Sequence, residues 1–271
     1  MGDEVRSVNR ETGSEKRGLR VGVALSGGVV RGPAHIGVLR VLERNRIPIH
    51  CMAGVSAGAI IGAAYCAGLG VEQLREIALH MRWRDIARPV LSRQGLVSFD
   101  KMERYLIDLV GDLTFDDLRI PFAVQATDLE SGEPVVLREG RLAPAVRASC
   151  SVPGFVVPVE INGRLLVDGG ASNNLPATAA RGLGAAYVIG VDLFRASVRW
   201  GWGPLGIGFG SIERLIRASG GGLEAVDCLI SPDLEGMSYL RFSQAQEMIA
   251  RGERAAQEKL DEIRAALGEM G

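Results

Sequence analysis

The sequence predicts an α/β fold in which helices cover a mostly parallel central sheet. Short runs rich in β-branched residues alternate with longer segments of helical spacing along most of the chain, and this order is typical of parallel sheets. Glycine-rich turns stand where predicted strands pass into helices, at residues 26–32 and 54–58. With 271 residues, 47% of them hydrophobic, the chain is long enough to form one large domain.

In the first half of the chain, apolar spacing predicts the helices and β-branched runs predict the strands. Pro33 marks the start of the first helix, because proline at the first helical position loses no intrahelical hydrogen bond. In order, we predict a strand at 20–25, a helix at 33–45, a strand within 47–55, and helices at 57–68, 71–87 and 101–110.

In the second half, the strongest local signal is Asn162-Gly163, a dipeptide typical of two-residue hairpin turns. It predicts a hairpin of strands at 155–160 and 164–167. Ser131-Gly132 joins another predicted pair of strands. In order, the other elements are strands at 120–129 and 133–137, helices at 142–150 and 176–182, strands at 186–192 and 228–231, and an amphipathic helix at 243–267.

Composition excludes several classes of function. The net charge is −1, so no basic footprint for nucleic acid is present. Residues 1–19 are polar and charged, without the apolar core of a signal peptide, and no window has the roughly 18 apolar residues that a membrane-spanning helix needs. We therefore predict a disordered polar tail at 1–19, a single domain at 20–271 and a cytoplasmic protein. The oligomeric state is left open.

The cysteines have no CxxC pair and no metal-ligand spacing. Each stands among apolar or small residues, so buried free thiols are expected, a state that fits a reducing cytoplasm. The four positions are Cys51, Cys66, Cys150 and Cys228.

Residues 194–224 depart from the alternation of strands and helices. They are rich in glycine, and their large apolar residues include Trp200, Trp202, Leu205, Ile207 and Phe209. One interpretation is a mobile apolar flap that faces lipid, with a peripheral membrane contact through residues 198–210. The other is a structured loop whose aromatic side chains pack on the core.

Residues 54–58 (GVSAG) lie between a predicted strand and a helix of small residues. A serine between glycines at such a corner is typical of a nucleophile elbow, in which only small neighbours, here Gly54 and Gly58, fit the tight turn. Ser56 is therefore a candidate nucleophile. The alternative is a glycine-rich turn in which Ser56 only caps the helix.

Residues 27–32 (GGVVRG) precede a helix N-terminus, where backbone N–H groups favour an anion. A dinucleotide-binding loop would need glycine at the third position, which is Val29, and an acidic residue about 20 residues later, which is not clear in this chain. An oxyanion hole fits the loop better, because its donors must point at a developing negative oxygen.

A serine hydroxyl becomes a good nucleophile only when another group takes its proton. No histidine follows His80, so the serine–acid–histidine order of α/β-hydrolases is not available, and His35 and His50 are expected to be structural hydrogen-bonding residues. Asp168 is the candidate base, because an aspartate beside a hydroxyl and shielded from water can have a raised pKa. The alternative for Asp168 is a turn aspartate that bonds its own backbone.

Together the three segments resemble the patatin-like phospholipase family, in its bacterial single-domain branch. The marks of that family are a glycine-rich loop ending in Arg-Gly, a Gly-x-Ser-x-Gly elbow and an Asp-Gly-Gly or Asp-Gly-Ala segment. They occur here in the family's order, the last as Asp168-Gly169-Gly170. The resemblance covers roughly residues 20–255 and includes residues 34–39, 126–128, 148–149, 152–154 and 174–176.

The resemblance implies a three-layer α/β/α sandwich and hydrolysis of lipid acyl esters through an acyl-serine intermediate. Ser56 would be the nucleophile and Asp168 the base of a catalytic dyad without histidine. The oxyanion hole would be formed by the loop of Gly27, Gly28, Val29 and Arg31, with Arg31 shaping the loop or adding positive charge. No metal or other cofactor is implied, and the expected partner is a lipid or acyl-ester substrate.

One residue departs from the family pattern. The family usually has a third glycine where this chain has Val29, and a β-branched residue resists a positive φ and crowds the space above the loop. This departure leaves open a second function on the same fold, that of a lipid- or acyl-binding regulatory protein with weak or no hydrolysis.

Overall fold

The computed structural model describes residues 19–194, 203–218 and 222–268. The strands are β1 (Val21–Leu25), β2 (Cys51–Gly54), β3 (Arg88–Pro89), β4 (Val97–Ser98), β5 (Phe122–Asp128), β6 (Pro134–Leu137), β7 (Val159–Ile161), β8 (Arg164–Asp168), β9 (Tyr187–Val191) and β10 (Cys228–Ile230). The helices are α1 (Pro33–Arg44), α2 (Ala57–Cys66), α3 (Val71–His80), α4 (Trp83–Ile86), α5 (Asp100–Val110), α6 (Leu142–Ser149), α7 (Ala177–Gly182), α8 (Pro204–Ala218) and α9 (Ala245–Leu267). The tail predicted at 1–19 lies outside the described residues except for its last residue.

The main sheet has the strand order β10-β9-β1-β2-β5-β8-β7, and β6 also pairs with β5. From β10 to β5 all neighbouring strands are parallel. Strands β6 and β8 each pair antiparallel with β5, and β7 pairs antiparallel with β8. The predicted α/β fold with a mostly parallel sheet is confirmed.

Alternate residues of the central strands face two different layers of helices, as the two-residue period of a strand requires. Val23 and Leu25 of β1 join the larger core, which α1, α2, α3, α5, α6 and α9 cover. Ala24 between them faces the opposite layer, where α7 packs. On that face the central strands present small residues, such as Ala53 and Ala123, so α7 lies close to the sheet.

The helix predicted at 71–87 is wrong as a single element. It is divided into α3 and α4, because Met81 and Arg82 are extended, with ψ of 141° and 154°. The break turns the chain so that Met81, Trp83 and Ile86 all line one cavity, which an unbroken helix with one buried face would not allow.

The strand predicted at 155–160 is also shorter than expected, whereas its hairpin turn is confirmed. Strand β7 begins only at Val159, and Asn162 and Gly163 adopt the positive φ values, 52° and 75°, that such a turn requires. The Phe155 carbonyl instead accepts hydrogen bonds from the backbone of residues 96 and 97. These hydrogen bonds hold the two-stranded ribbon of β3 and β4, which no sequence pattern predicted.

Part of the glycine-rich stretch at 194–224 is the helix α8, so the interpretation as a structured loop is wrong there, whereas the mobile apolar flap that faces lipid stays a prediction. Leu205, Phe209, Ile212 and Ile216 have helical spacing, but four glycines between positions 203 and 210 obscure that signal. Trp200 and Trp202 lie outside the described residues.

The four cysteines are buried and form no disulfide, as predicted. In the three described ranges, no helix is both long enough and apolar enough to span a bilayer.

Candidate active site

Ser56 lies at the corner between β2 and α2. Its φ is 50° and its ψ is −118°, a backbone conformation that costs about 1–3 kcal/mol for a residue with a side chain. The Ser56 N–H donates to Ser149 Oγ at 2.8 Å, and the Ser149 hydroxyl donates to the carbonyl oxygen of Gln125 at 2.6 Å. These two bonds tie the corner to α6 and β5 and hold Ser56 in its strained conformation.

The two glycines of the elbow allow α2 to begin directly against the ends of β1 and β2. A Cβ on Gly54 would come within 2.6 Å of the Gly58 carbonyl oxygen and 2.7 Å of the Ala59 backbone. A Cβ on Gly58 would overlap the carbonyl group of Leu25. Neither position has room for a side chain, so the tight corner at Ser56 depends on both glycines.

The arrangement of β2 and β8 along β5 brings Ser56 and Asp168 together. Val124 of β5 pairs with Gly54 on one edge and with β6 on the other. Ala126 of β5 pairs with β6 and also with Asp168 of β8. Since β6 occupies one edge of β5 at this point, β8 lies on the other edge, which is the edge that β2 also occupies. Strand β2 runs parallel to β5 and β8 runs antiparallel to it, so their carboxyl ends point toward each other.

Asp168 is 5% exposed. Its Oδ1 accepts the Gly170 N–H at 2.8 Å, and the Ser56 side chain lines the same cavity. Burial raises the pKa of the Asp168 carboxyl to about 6, and the Gly170 N–H and the Ser56 side chain oppose part of that rise. The bond to Gly170 is the contact expected if Asp168 were only a turn aspartate that bonds its own backbone. That alternative does not account for the position of the carboxyl group beside Ser56.

Two further residues of the site, Ser149 and Cys150, have no recognisable motif of their own. The Cys150 thiol is buried and lines the same cavity as Ser56. Burial raises the pKa of this thiol well above its usual value, and the charge of Asp168 raises it further. The thiol is therefore protonated at neutral pH. The sequence signal for these residues is that Ser149 belongs to the family-like segment 148–149 and that Cys150 follows it.

The glycine loop lies directly beside Ser56. A Cβ on Gly27 would be 2.5 Å from Asn174 Oδ1 and 3.4 Å from Ser56 Cβ. Asn174 is 6% exposed and also approaches Gly170, since a Cβ there would be 3.1 Å from the same Oδ1. The carboxamide of Asn174 thus fills the space between the glycine loop and the turn after Asp168.

The backbone amides of this loop differ in whether the protein already uses them. The Gly27 N–H donates to the Asn174 carbonyl at 3.3 Å, and the Arg31 N–H donates to the Gly28 carbonyl at 3.0 Å. In the part of the chain that the structure describes, the N–H groups of Gly28 and Val29 donate to no protein acceptor. These two amides are the ones available to a ligand.

Val29 adopts the backbone conformation that a glycine would adopt most easily. Its φ is 53°, which costs a residue with a side chain about 1–2 kcal/mol. The side chain is 39% exposed and lines the cavity. The valine therefore occupies the position of the missing glycine without changing the direction of the chain.

Arg31 is completely buried and does not line the cavity. Its Nη1 donates to the carbonyl of Leu193 at 3.2 Å, and its Nη2 donates to the carbonyls of Met237 at 2.8 Å and Leu234 at 3.4 Å. The guanidinium group also stacks 3.7 Å above the ring of Tyr239. Of the two roles expected for Arg31, this geometry fits the shaping of the loop.

The three histidines lie away from the cavity lining. His35 is fully buried and donates from Nε2 to the Ser26 carbonyl at 2.8 Å, and burial lowers its pKa to about 4. His50 Nδ1 accepts the Val21 N–H at 2.9 Å, and His80 bonds the carbonyl of Glu76 in its own helix. Within the described ranges, no three His, Cys, Asp or Glu side chains cluster in a way that could hold a metal ion.

Ser56 and Asp168 line a cavity of about 740 Å³. Three helices each contribute one apolar face to its wall, with residues spaced three or four apart. On α2 these residues are Ala57, Ile60, Ile61 and Ala64; on α3, Leu74, Ile77 and Ala78; on α5, Met102, Tyr105, Leu106 and Leu109. The α2 face begins beside the nucleophile candidate and extends along the helix for roughly 10 Å.

Helix α8 closes another side of this cavity. Glu213 is 6% exposed and lines the cavity together with Ile216. The Tyr239 hydroxyl donates to a carboxylate oxygen of Glu213 at 3.4 Å. Since Tyr239 also stacks on Arg31, α8 is connected through one aromatic ring to the glycine loop.

The fold and the site define an α/β protein with a serine elbow above a parallel sheet and a buried carboxyl group beside the serine. Residues 23–181 match the family model described as patatin-like phospholipase. The chain therefore belongs to the patatin-like phospholipase family, and the identification from the three motifs is confirmed.

Relatives of known sequence share this region. An uncharacterized NTE family protein of Mycobacterium bovis is 37% identical over 177 residues, which are 64% of this chain and 49% of that protein. Neuropathy target esterase of Drosophila melanogaster is 35% identical over 65% of this chain and 13% of its own length. Human patatin-like phospholipase domain-containing protein 6 is 34% identical over 65% of this chain and 13% of its own length. The match thus spans about half of the mycobacterial relative and a small part of the other two.

Among solved structures, VipD from Legionella pneumophila has a similar fold. The TM-score is 0.57 at 14% sequence identity, and the superposition covers 90% of this chain and 67% of that one. At this identity the likeness shows the fold alone.

The raised pKa of Asp168 makes the stability of the protein depend on pH. An unfolded chain ionises aspartate near pH 4, whereas the folded chain ionises Asp168 at about pH 6. The resulting contribution to the free energy of unfolding is fully present below pH 4 and is lost as the pH rises through 6. We expect the gain in stability from Asp168→Asn to be larger by about 2–3 kcal/mol at pH 8 than at pH 4, measured by urea titration.

Asp116→Asn is the matched control, because Asp116 is exposed on the surface. Its effect on the free energy of unfolding should stay within about 0.5 kcal/mol at both pH values. An effect of Asp168→Asn that is the same at pH 4 and pH 8 would contradict the raised pKa.

Proposed function

We propose that the protein is a serine hydrolase of lipid acyl esters, of the lipase, phospholipase or lysophospholipase type. One observation carries the proposal: the buried Asp168 carboxyl and the Ser56 side chain lie together at the wall of a large apolar cavity. Membership of the patatin-like phospholipase family supports the same reaction class.

In the proposed mechanism, Ser56 Oγ attacks the ester carbonyl while Asp168 accepts the hydroxyl proton. The C–O bond to the alcohol then breaks, the alcohol leaves with the proton from Asp168, and an acyl-serine remains. Water attacks the acyl-serine while Asp168 accepts its proton. Asp168 then gives this proton to Ser56 Oγ as the C–O bond to the serine breaks, and the fatty acid is released. One carboxyl group thus serves as base and as acid in turn.

Asp168 suits this role because of its pKa. A base that works near neutral pH should have a pKa close to the working pH, since a weaker base takes the proton less readily. Burial raises the pKa of Asp168 to about 6, so the carboxylate is ionised at pH 7 and is more basic than an exposed aspartate.

The backbone amides of Gly28 and Val29 are proposed to donate to the oxygen that becomes negative in the tetrahedral intermediate. They are beside Ser56 and have no protein acceptor in the described part of the loop. Gly27 and Arg31, whose amides are already used, are proposed to hold the loop in position. The sequence predicted an oxyanion hole formed by the loop of four residues, and this assignment leaves two of them, Gly28 and Val29, as the donors.

The apolar faces that line the cavity favour a long acyl chain as the part of the substrate that binds there. The α2 face starts at the nucleophile and ends near Ala64, so an acyl chain attached to Ser56 could extend along this helix. The burial of successive CH₂ groups is worth about 0.8 kcal/mol each, and each added carbon should therefore strengthen binding until the slot ends.

The first test uses a fluorophosphonate probe, which labels activated serines. The wild type should be labelled at a rate that rises as the pH passes through about 6, because only the ionised Asp168 can accept the proton. Ser56→Ala should not be labelled, and Asp168→Asn should be labelled about 10²–10⁴ times more slowly. Equal labelling of the wild type and both variants would contradict the proposed dyad of Ser56 and Asp168. A loss of labelling in Asp168→Asn would not result from unfolding, because this variant is expected to be more stable than the wild type at pH 8.

The second test concerns the length of the acyl slot. Ala64 lines the cavity near the end of α2, so the series Ala64→Val, Ala64→Leu and Ala64→Phe should shorten the slot stepwise. We expect kcat/KM for long-chain p-nitrophenyl esters to fall by roughly tenfold or more with the largest side chain, since several CH₂ groups lose their site. Activity on the acetate ester is the internal control and should change little. An equal loss of kcat/KM for esters of every acyl length would show that the acyl chain does not lie along α2.

A second candidate function is that of a lipid- or acyl-binding regulatory protein with weak hydrolysis. The observation that favours it is Val29, whose side chain lines the cavity at a φ of 53°. If the valine displaced a donor, the loss of one oxyanion contact would reduce turnover by about 10²–10³.

Val29→Gly separates the two functions. Since Val29 already has the positive φ that a glycine would have, we expect measurable hydrolysis by the wild type and a change of kcat below about tenfold in the variant. A nearly inactive wild type that gains about 10²-fold or more would favour the binding protein instead.

A further inference from the structure

The ribbon of β3 and β4 with its connecting loop, residues 88–98, forms part of the rim of the cavity and is called the rim hairpin. Arg88, Pro89 and Val97 line the cavity. The hairpin is firmly seated, because the N–H groups of residues 96 and 97 donate to the Phe155 carbonyl at 2.9 and 3.0 Å. A Cβ on Gly95 would be only 2.7 Å from the backbone nitrogen of residue 157.

The tip of this seated hairpin presents leucines to solvent. Leu91 is exposed to the full extent, at 108%, and Leu96 is 57% exposed. A single exposed leucine is ordinary in a protein surface. Leu91 and Leu96 instead lie on one short loop at the rim of an apolar cavity, and both are open to solvent in the described chain.

The surroundings of the hairpin are basic. Residues 82–104 contain six arginines or lysines and three acidic residues, although the whole chain has a net charge of −1. Arg93 lies between the two leucines, is exposed, and takes part in no ion pair within the described residues. Arg84 and Lys101 are also exposed, and both line the cavity.

We propose that the rim hairpin docks on a lipid surface that carries anionic headgroups. Leu91 and Leu96 enter the boundary between headgroups and acyl chains, and Arg93 contacts the phosphates beside them. Apolar residues flanked by arginine and lysine are the combination that binds anionic bilayers from one side. Docking in this way brings the cavity rim to the membrane surface.

The positive charge around the rim hairpin indicates what kind of surface binds there. A second copy of this chain carries a net charge of only −1, whereas an anionic leaflet offers a continuous negative surface. The docking is a property of the surface and requires no hydrolysis, so it can be measured separately from the proposed reaction.

Helix α8 reaches the same rim from the other side. A Cβ on Gly208 would be 3.9 Å from the ring of Phe155, and the neighbouring Ile207 is 56% exposed. Residues 203–210 are the described part of the membrane contact that the sequence predicted at 198–210. They therefore lie next to the rim hairpin, with Phe155 between the two. Ile207→Ser is the variant that distinguishes the two elements.

The experiment is cosedimentation of the full chain with phosphatidylcholine vesicles, prepared with and without phosphatidylglycerol. It uses the Ser56→Ala background, so that no lipid is consumed. We expect binding to the anionic vesicles that weakens as salt is added. Leu91→Ser should lower the partition coefficient by about tenfold, and Arg93→Ala should lower it by about fivefold.

Matched controls come from the opposite end of the central strands, where β1 and β2 begin. Leu19 is 44% exposed before β1, and Arg46 is exposed in the loop before β2. Leu19→Ser and Arg46→Ala should bind the vesicles as the parent does. With Ser56 intact, Leu91→Ser should hydrolyse a soluble short-chain ester at the parental rate, which separates surface docking from catalysis.

Several outcomes would overturn the proposal. Leu91→Ser could bind as well as Leu19→Ser, or the parent could bind neutral and anionic vesicles equally. Ile207→Ser alone could reduce binding, which would assign the contact to α8. Sedimentation velocity without lipid could show a dimer that Leu91→Ser dissociates, which would make the rim hairpin an interface between copies of this chain.

Discussion

The burial of the Asp168 carboxyl group beside the Ser56 side chain is the constraint on which the rest of the site depends. Two strands that run toward each other along one edge of β5 produce it, and neither strand could be lengthened without pushing the other away. Burial makes the charged form of a carboxyl group unfavourable, and the Gly170 N–H and the nearby Ser56 side chain stabilise that form only in part. The same balance makes the group basic enough to serve as a base near neutral pH.

This arrangement requires backbone strain, and the strain is held by contacts outside the motifs. Ser56 and Val29 have φ values of 50° and 53°, and both lie at the site, where strained residues tend to cluster. Ser56 is held by the hydroxyl of Ser149. The loop that carries Val29 is held by the buried side chain of Arg31, which donates to the carbonyls of Leu193, Leu234 and Met237, far along the chain. These supports connect distant parts of the sequence to the few atoms where chemistry is proposed.

Local sequence patterns predicted the elements whose form depends on a few neighbouring residues. The hairpin at Asn162-Gly163 follows from two residues that tolerate positive φ, and the parallel strands follow from their β-branched runs. Patterns failed where long-range packing decided the result. The break between α3 and α4 places side chains in the cavity wall, and glycines hid the helical spacing of α8. The β3–β4 ribbon exists because Phe155, far along the chain, accepts its hydrogen bonds.

The sequence by itself determined the α/β class, the family and the identity of Ser56, Asp168 and the glycine loop as candidate residues, because these follow from periodicity and from short motifs with a steric cause. The tertiary structure decided which groups meet and in what state. It set the raised pKa of Asp168, the division of the loop amides into used and available donors, and the inward direction of Arg31. Burial and hydrogen bonding between residues more than 100 positions apart determine these properties, and no local pattern in a chain encodes them.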